Sequence, residues 1–112
     1  VLIPGDVPRW ETRASMPTPR VGATAVAVGG KIWVIGGVTA RNVPSRAVEV
    51  YDPTRDAWEI RPPLREARAF AACGLIDGAI VVAGGTAGLL DFFMFGYSYM
   101  ARPLQTVEVL RP

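Results

Sequence analysis

Histidine is absent from this 112-residue chain and cysteine occurs once, at Cys73. One cysteine without histidine cannot build a metal site of the usual nitrogen-and-sulfur type, and a serine–histidine–aspartate nucleophile needs the imidazole. A lone thiol builds no disulfide framework of the kind that marks small secreted domains, and its place within an apolar run makes a buried, inert thiol the expected state. Lysine is almost missing too: Lys31 stands alone against eleven arginines. These give a mild net charge of +2, and they are spread through candidate loops, so no basic stripe for nucleic acid emerges. No basic-plus-apolar leader opens the sequence, which leans the expected location weakly toward the cytoplasm. No run approaches the roughly 20 apolar residues of a bilayer-crossing helix, and no helical period is sustained. Neither a phosphate-cradling glycine loop before a helix nor a convincing carboxylate pair is found. Hence no cofactor and no catalytic set are expected, and Asp52, Asp56 and Asp77 are assigned to turn capping.

What the chain does have is a copy of itself. Trp10 recurs as Trp58, Arg20 as Arg68, Gly30 as Gly78 and Gly36-Gly37 as Gly84-Gly85, all 48 residues apart. A period of this length indicates a repeat architecture, in which each unit buries its faces only against its neighbours. Within one unit, the β-prone runs Ala23 to Val28 and Ile32 to Ile35 flank Gly29-Gly30. The second copy places Ala71 to Ile76 and Ile80 to Ala83 around Asp77-Gly78. Both are hairpin signals of the primed-turn type. The runs are apolar at successive positions, as expected of sheets covered on both faces. A third run, Ala47 to Tyr51, alternates more clearly, and the turn Asp52-Pro53-Thr54-Arg55-Asp56 leads to a fourth, Ala57 to Ile60. Four antiparallel strands per period of about 50 residues is the pattern of a propeller blade.

These residues resemble the kelch repeat family. The resemblance rests on the Gly-Gly doublet after the second strand, Val48-Glu49-Val50-Tyr51-Asp52-Pro53, and Trp58 seven residues after Tyr51. It implies an all-β fold: a β-propeller segment of about two four-stranded antiparallel blades, permuted, in an incomplete ring. Residues 1–12 are expected to end a preceding blade as its outer strand, 13–61 to form the first repeat, and 62–112 the second, with an apolar insertion over 86–104 and no outer strand of its own. Gly36, Gly37, Gly84, Gly85, Tyr51, Trp58, Trp10, Arg20 and Arg68 are the expected structural set; Tyr51 and Trp58 are suited to fill space between blades, and the two arginines to bind loop carbonyls rather than a ligand. Three origins compete for a chain of two blades: a segment of a longer chain supplying the other blades, a protomer of a homo-oligomeric ring, or a stub.

Function is expected in the connections. The resemblance implies a non-catalytic scaffold or adaptor, a protein- or peptide-binding module within a larger propeller. Its alternatives are a segment of a sugar-active enzyme of the sialic-acid epimerase type and a purely structural element. Galactose-oxidising copper enzymes of similar fold use histidines and a cysteine-linked tyrosine, and no matching set exists. By the same resemblance one face is lined by Val38 to Arg46, Ser15 to Pro19, Pro62 to Ala67 and Thr86 to Leu104. Arg41, Asn42 and Arg46 are its candidate partner contacts, with plain solvated loop side chains as the competing reading. Some kelch adaptors that capture acidic peptides carry an arginine two positions beyond Arg20 and Arg68, where this chain has Gly22 and Phe70, so that specificity is not carried over. From the doublet to the glutamate of the third strand the second repeat spans 23 residues against 12 in the first (Gly85 to Glu108, Gly37 to Glu49). The extra stretch holds Phe92, Phe93, Phe95, Tyr97 and Tyr99, which either cover an open blade edge or anchor a partner.

Overall fold

A computed structural model of the chain describes residues 7–40, 42–88 and 102–112. These residues form two antiparallel sheets. The first contains β1 (Thr24–Val28), β2 (Lys31–Ile35), β3 (Val48–Asp52) and β4 (Ala57–Arg61) in sequential order, and the second β5 (Ala72–Ile76), β6 (Ala79–Ala83) and β7 (Val107–Leu110), again in order. There is no helix among the described residues. The hairpins form where the turn residues demand: Gly29 and Gly30 have φ of 56° and 75°, Asp77 and Gly78 of 49° and 76°. Positive φ at both central positions is the type I′ geometry, whose twist matches that of the flanking strands. Just beyond each glycine doublet a short bridge is also repeated, Val38 with Val21 and Pro44, and Thr86 with Ala69 and Pro103.

Register decides which side chains meet. Val26 lies opposite Trp33 and Trp33 opposite Val50, so Val26, Val28, Trp33, Ile35, Val48 and Val50 share one face of the first sheet. In the second sheet Cys73 lies opposite Val82, and Ile80 opposite Leu110, sharing the face that meets them. These two faces make the core, with Leu64 from the connecting segment. Ile80, Val50, Ile35 and Val82 are almost fully buried, each such side chain contributing roughly 1.5–3 kcal/mol. Arg61 closes the rim with its guanidinium 5.6 Å from the Trp33 ring centroid, within cation–π range.

Coverage on both faces is expected from the continuous apolar runs; among the described residues it is seen chiefly on one face of each sheet. Ile32 and Ile60 lie on the outward side of the first sheet, and Ile76, Val107 and Val109 on that of the second, all substantially exposed. The apolar composition is that of a stack with more than two layers, while the described residues supply two. The alternation in β3 also has a cause other than solvent: Glu49, between Val48 and Val50, is 2 % exposed and is an internal counter-ion.

Candidate functional site

The connections at one end of the sheets interlock through backbone hydrogen bonds. Gly37 N–H donates to the Arg68 carbonyl at 2.9 Å, Arg68 N–H to Ser45 at 3.2 Å, Leu64 N–H to Arg46 at 2.8 Å and Phe70 N–H to Gly22 at 2.8 Å. The segment joining β4 to β5 is thereby sewn to the loop joining β2 to β3 and to the strand entry ahead of β1. Arg46 adds a side-chain stitch, its Nε donating to the Leu64 carbonyl at 2.6 Å. These bonds fix the loop backbones, so the side chains they carry stand on a stiff base.

Two buried arginines hold this end from within. Arg20 donates to the carbonyls of Gly36 at 2.8 Å and Ala47 at 3.0 Å and pairs with Glu49, which also accepts from Thr18 Oγ1 at 2.8 Å. Arg68 repeats the arrangement on the second sheet: the Gly84 and Thr106 carbonyls at 3.0 Å, and Glu108 at 2.9 Å. Both side chains are fully buried, so each arginine ties the end of its second strand to the start of its third. Burial pushes the Glu108 carboxyl up, but the amides of Arg65 and Glu66 and the Arg68 guanidinium outweigh it and hold the group below the ordinary range. The glutamates were not singled out from sequence. Their signal was present, since Val-Glu-Val occurs at 48–50 and again at 107–109, displaced by the period plus the insertion.

At the opposite end Tyr51 and Trp58 pack with ring centroids 5.1 Å apart. Tyr51 Oη donates to Asp56 at 2.6 Å, a hydrogen bond that raises the Tyr51 pKa and, with a further one from Ala14 N–H at 2.9 Å, lowers that of Asp56. Trp58 Nε1 donates to the Ala14 carbonyl. Asp56 therefore reaches 42 residues back along the chain, beyond the local capping expected of it. Asp52 does cap its turn, accepting from the Thr54 amide and hydroxyl, and its pKa is lowered chiefly by that hydroxyl. Cys73 is half-buried between the sheets, and burial pushes its thiol up, away from the reactive thiolate.

Of the candidate partner contacts, Asn42 and Arg46 are exposed on the interlocked end, Asn42 with φ of 57°. Arg41, Phe92, Phe93, Phe95, Tyr97 and Tyr99 lie outside the described residues. Trp10 is fully exposed, and Gly36, Gly37, Gly84 and Gly85 all have positive φ. Sequence reasoning gave no contact role to Phe70, which has φ of 56° and is well exposed. Its ring covers Gly22, where an added Cβ would come within 2.7 Å of it. A cleft of about 230 Å³ opens between the sheets, bordered by Pro62, Pro63, Leu64 and the β7 residues Glu108 to Leu110.

Residues 19–65 match the kelch motif, and that span contains all of the first sheet, Arg20, the Gly36-Gly37 doublet, Tyr51 and Trp58. The chain belongs to the kelch-repeat family. Its similarity to curated relatives extends further than the single motif. It is 40% identical over 86 residues to alpha-scruin of Limulus polyphemus, covering 73% of this chain and 9% of that protein. Human kelch-like protein 34 is 31% identical over 88 residues, 69% of this chain and 14% of that one. Kelch-like protein 25 of Xenopus laevis is 31% identical over 98 residues, 88% of this chain and 17% of that one. The chain thus spans less than a fifth of the length of each of these relatives. Its two sheets are consistent with successive kelch blades, and the buried arginines recur at the same place in both.

Proposed function

We propose that this chain is a non-catalytic protein- or peptide-binding module, a piece of a larger kelch propeller that grips its partner with the interlocked end. The observation that supports this most is the investment of structure there. Four backbone hydrogen bonds and two buried arginines immobilise the connections, while Asn42, Val43, Arg46 and Phe70 remain exposed on them. Preorganised loops lose little entropy on binding, and a mixed aromatic, apolar and arginine surface has the composition of an interface centre. Phe70 adds weight: a bulky residue in left-handed backbone is a local strain, and such strain gathers at functional sites. The charged groups that converge inside this end, Arg20 with Glu49 and Arg68 with Glu108, bind one another and the backbone. That arrangement favours a rigid platform over an acid–base site.

Selection of peptides from a random library on the folded chain tests the proposal. Arg46→Glu and Phe70→Gly are expected to weaken a selected peptide at least about tenfold, as for interface anchors, with Ile32→Ser on the sheet face without effect. Equal binding by all variants, or a peptide footprint on the sheet faces, rejects it.

A further inference from the structure

Positions 18 and 66 are equivalent, 48 residues apart, and each stands two residues ahead of its repeat's buried arginine. The first repeat has Thr18 there and the second has Glu66. In the first, the Thr18 hydroxyl donates to Glu49 at 2.8 Å while Arg20 pairs with the same carboxylate. In the second, a further carboxylate takes the place of that hydroxyl. One Arg68 nitrogen, Nη2, faces Glu108 at 2.9 Å and Glu66 at 3.5 Å, so a single guanidinium serves two negative groups.

The second repeat supplies what the extra charge needs. Glu108 accepts from the amides of Arg65 and Glu66, at 2.7 and 3.2 Å, and Glu66 accepts from the Thr106 hydroxyl at 2.6 Å. The first repeat lacks these partners. The counterpart of Arg65 is Pro17, which has no N–H, and the counterpart of Thr106, two residues ahead of the strand glutamate, is Ala47, which has no hydroxyl. Among the described residues Glu49 accepts only from Thr18 and Arg20. A neutral donor at position 18 is therefore a condition of its burial. A negative group there becomes a like charge beside a carboxylate that is 2 % exposed, with one arginine to divide between them.

Thr18 is also the one serine or threonine in the chain that a proline directly follows. Pro19 biases it toward extended backbone, the form in which proline-directed protein kinases take a substrate hydroxyl. Thr18 lies in no strand and is half-buried, and Glu66, at the same place with a sheet packed ahead of it, keeps 45 % of its side chain exposed. A phosphate on Thr18 sets its oxygens as many bonds from the backbone as those of Glu66, with a charge of about −1.5 to −2 at neutral pH.

We propose that Thr18 is a phosphorylation site whose modification unlocks the buried arginine of the first repeat. Thr18 Oγ1 attacks the γ-phosphorus of ATP on a proline-directed kinase; the new O–P bond forms as the bond to ADP breaks, and the hydroxyl proton passes to the kinase's catalytic base. The phosphate then competes with Glu49 for Arg20, and the guanidinium leaves the carbonyls of Gly36 and Ala47. The end of β2 and the start of β3 loosen in the first repeat alone. The proposal stands on the two arginine clusters and is independent of the binding role of the loops.

Treating the folded chain with a proline-directed kinase and magnesium ATP, mapping the phosphate by mass spectrometry and comparing amide hydrogen exchange before and after tests it. One phosphate is expected, on Thr18, and none on the Thr18→Val variant. Exchange of the Gly36 amide, which donates to Ala47, is expected to rise at least about tenfold, as for the loss of a hydrogen bond to a charged group. Exchange of its counterpart Gly84, which donates to Thr106, is expected to stay unchanged. Thr18→Glu should give the same rise without a kinase, and adding Pro17→Arg and Ala47→Thr, which give the first repeat the partners of the second, should reverse it. A folded chain that takes no phosphate at Thr18 overturns the proposal. So does exchange at Gly36 that neither phosphate nor Thr18→Glu changes, an equal rise at Gly84, or a rise that the two added substitutions leave in place. Peptide selection on the loops reads none of these quantities, so the two proposals fail separately.

Discussion

Gly36 and Gly84 occupy the same position in the two sheets, with φ of 68° and 69°, and their surroundings differ. A Cβ on Gly36 would collide with the Arg68 carbonyl, whereas one on Gly84 would meet, among the described residues, only the Leu104 carbonyl oxygen, at 3.5 Å. The second glycine of each doublet shows no such contrast: Gly37 is crowded by Val21 and Ala23, and Gly85 by Ala69 and Ala71, each pair from its own repeat. Two kinds of constraint are thus superimposed on one motif. The second glycine answers to its own repeat, and the first answers to the connection leading into the next sheet, which crosses the first sheet only. Part of what holds a kelch repeat lies in the repeat after it, as nearest-neighbour coupling in repeat proteins requires.

The largest test of this comparison is on the arginines. Arg20→Ala leaves Glu49 buried with the Thr18 hydroxyl as its remaining side-chain donor and removes the arginine from the Gly36 carbonyl, while the Ala47 carbonyl keeps the Gly36 amide. Breaking a buried pair from one side costs about 3–5 kcal/mol. Arg68→Ala removes the arginine from the Gly84 carbonyl, while the Thr106 carbonyl keeps the Gly84 amide and Glu108 keeps the amides of Arg65 and Glu66, so a smaller loss of about 2–3 kcal/mol is expected. Urea denaturation of both variants measures the difference. An equal or reversed order means that the retained amides do not compensate Glu108.

The glycines come next. Left-handed backbone costs any alanine about 1–2 kcal/mol, and Gly84→Ala should show that alone. Gly36→Ala must also displace the Arg68 carbonyl, adding about 1–3 kcal/mol. Hydrogen exchange of the Gly37 amide, which donates to that carbonyl, should rise in Gly36→Ala and stay unchanged in Gly84→Ala.

A smaller effect separates the sheets by pH. The folded pKa of Glu108 is held down, so its contribution is fully present above the ordinary carboxylate range, around pH 4.5, and is lost as pH falls through the folded pKa. Glu108→Gln should flatten that acid limb for the second sheet, read by exchange of β6 amides. Asp52 is held down by Thr54 in the first sheet's outer turn, and Asp56 by Tyr51 and the Ala14 amide, so the acid limb of the first sheet should persist in the same variant.

Much of this fold was legible in the sequence because its signals are local. Gly29-Gly30 and Asp77-Gly78 specify their turns through φ alone, and the strands they join follow within a residue or so. The repeat of Trp10 in Trp58 and of Arg20 in Arg68 gave the period, and the period gave the blades. What stayed hidden depends on which face meets what. The apolar runs carry no mark of which side is covered, so the outward Ile60 and Ile76 read like the buried Ile35 and Ile80. Glu49 reads as a solvent-facing residue of an alternating strand, because its partner Arg20 is 29 residues away. Arg46 reads as a free loop cation, because the Leu64 carbonyl that it binds belongs to another connection.

The finest contrast is at Gly22 and Phe70, which occupy the same place in their repeats with φ of 68° and 56°. Each directly follows a bridged residue, Val21 paired with Val38 and Ala69 with Thr86, so the second repeat keeps a conformation suited to glycine while carrying a phenylalanine. Relative to glycine the left-handed conformation costs about 1–2 kcal/mol. Packing of the ring on Gly22 returns part of that, and much of the ring remains in water. Phe70→Gly is therefore expected to leave stability unchanged or raise it by up to about 1 kcal/mol, measured by urea denaturation, while weakening any peptide held at the interlocked end. A residue kept for packing gives the opposite sign: a loss of about 3 kcal/mol or more on truncation would place Phe70 with Ile80 among the groups that hold the sheets together and remove it from the binding surface.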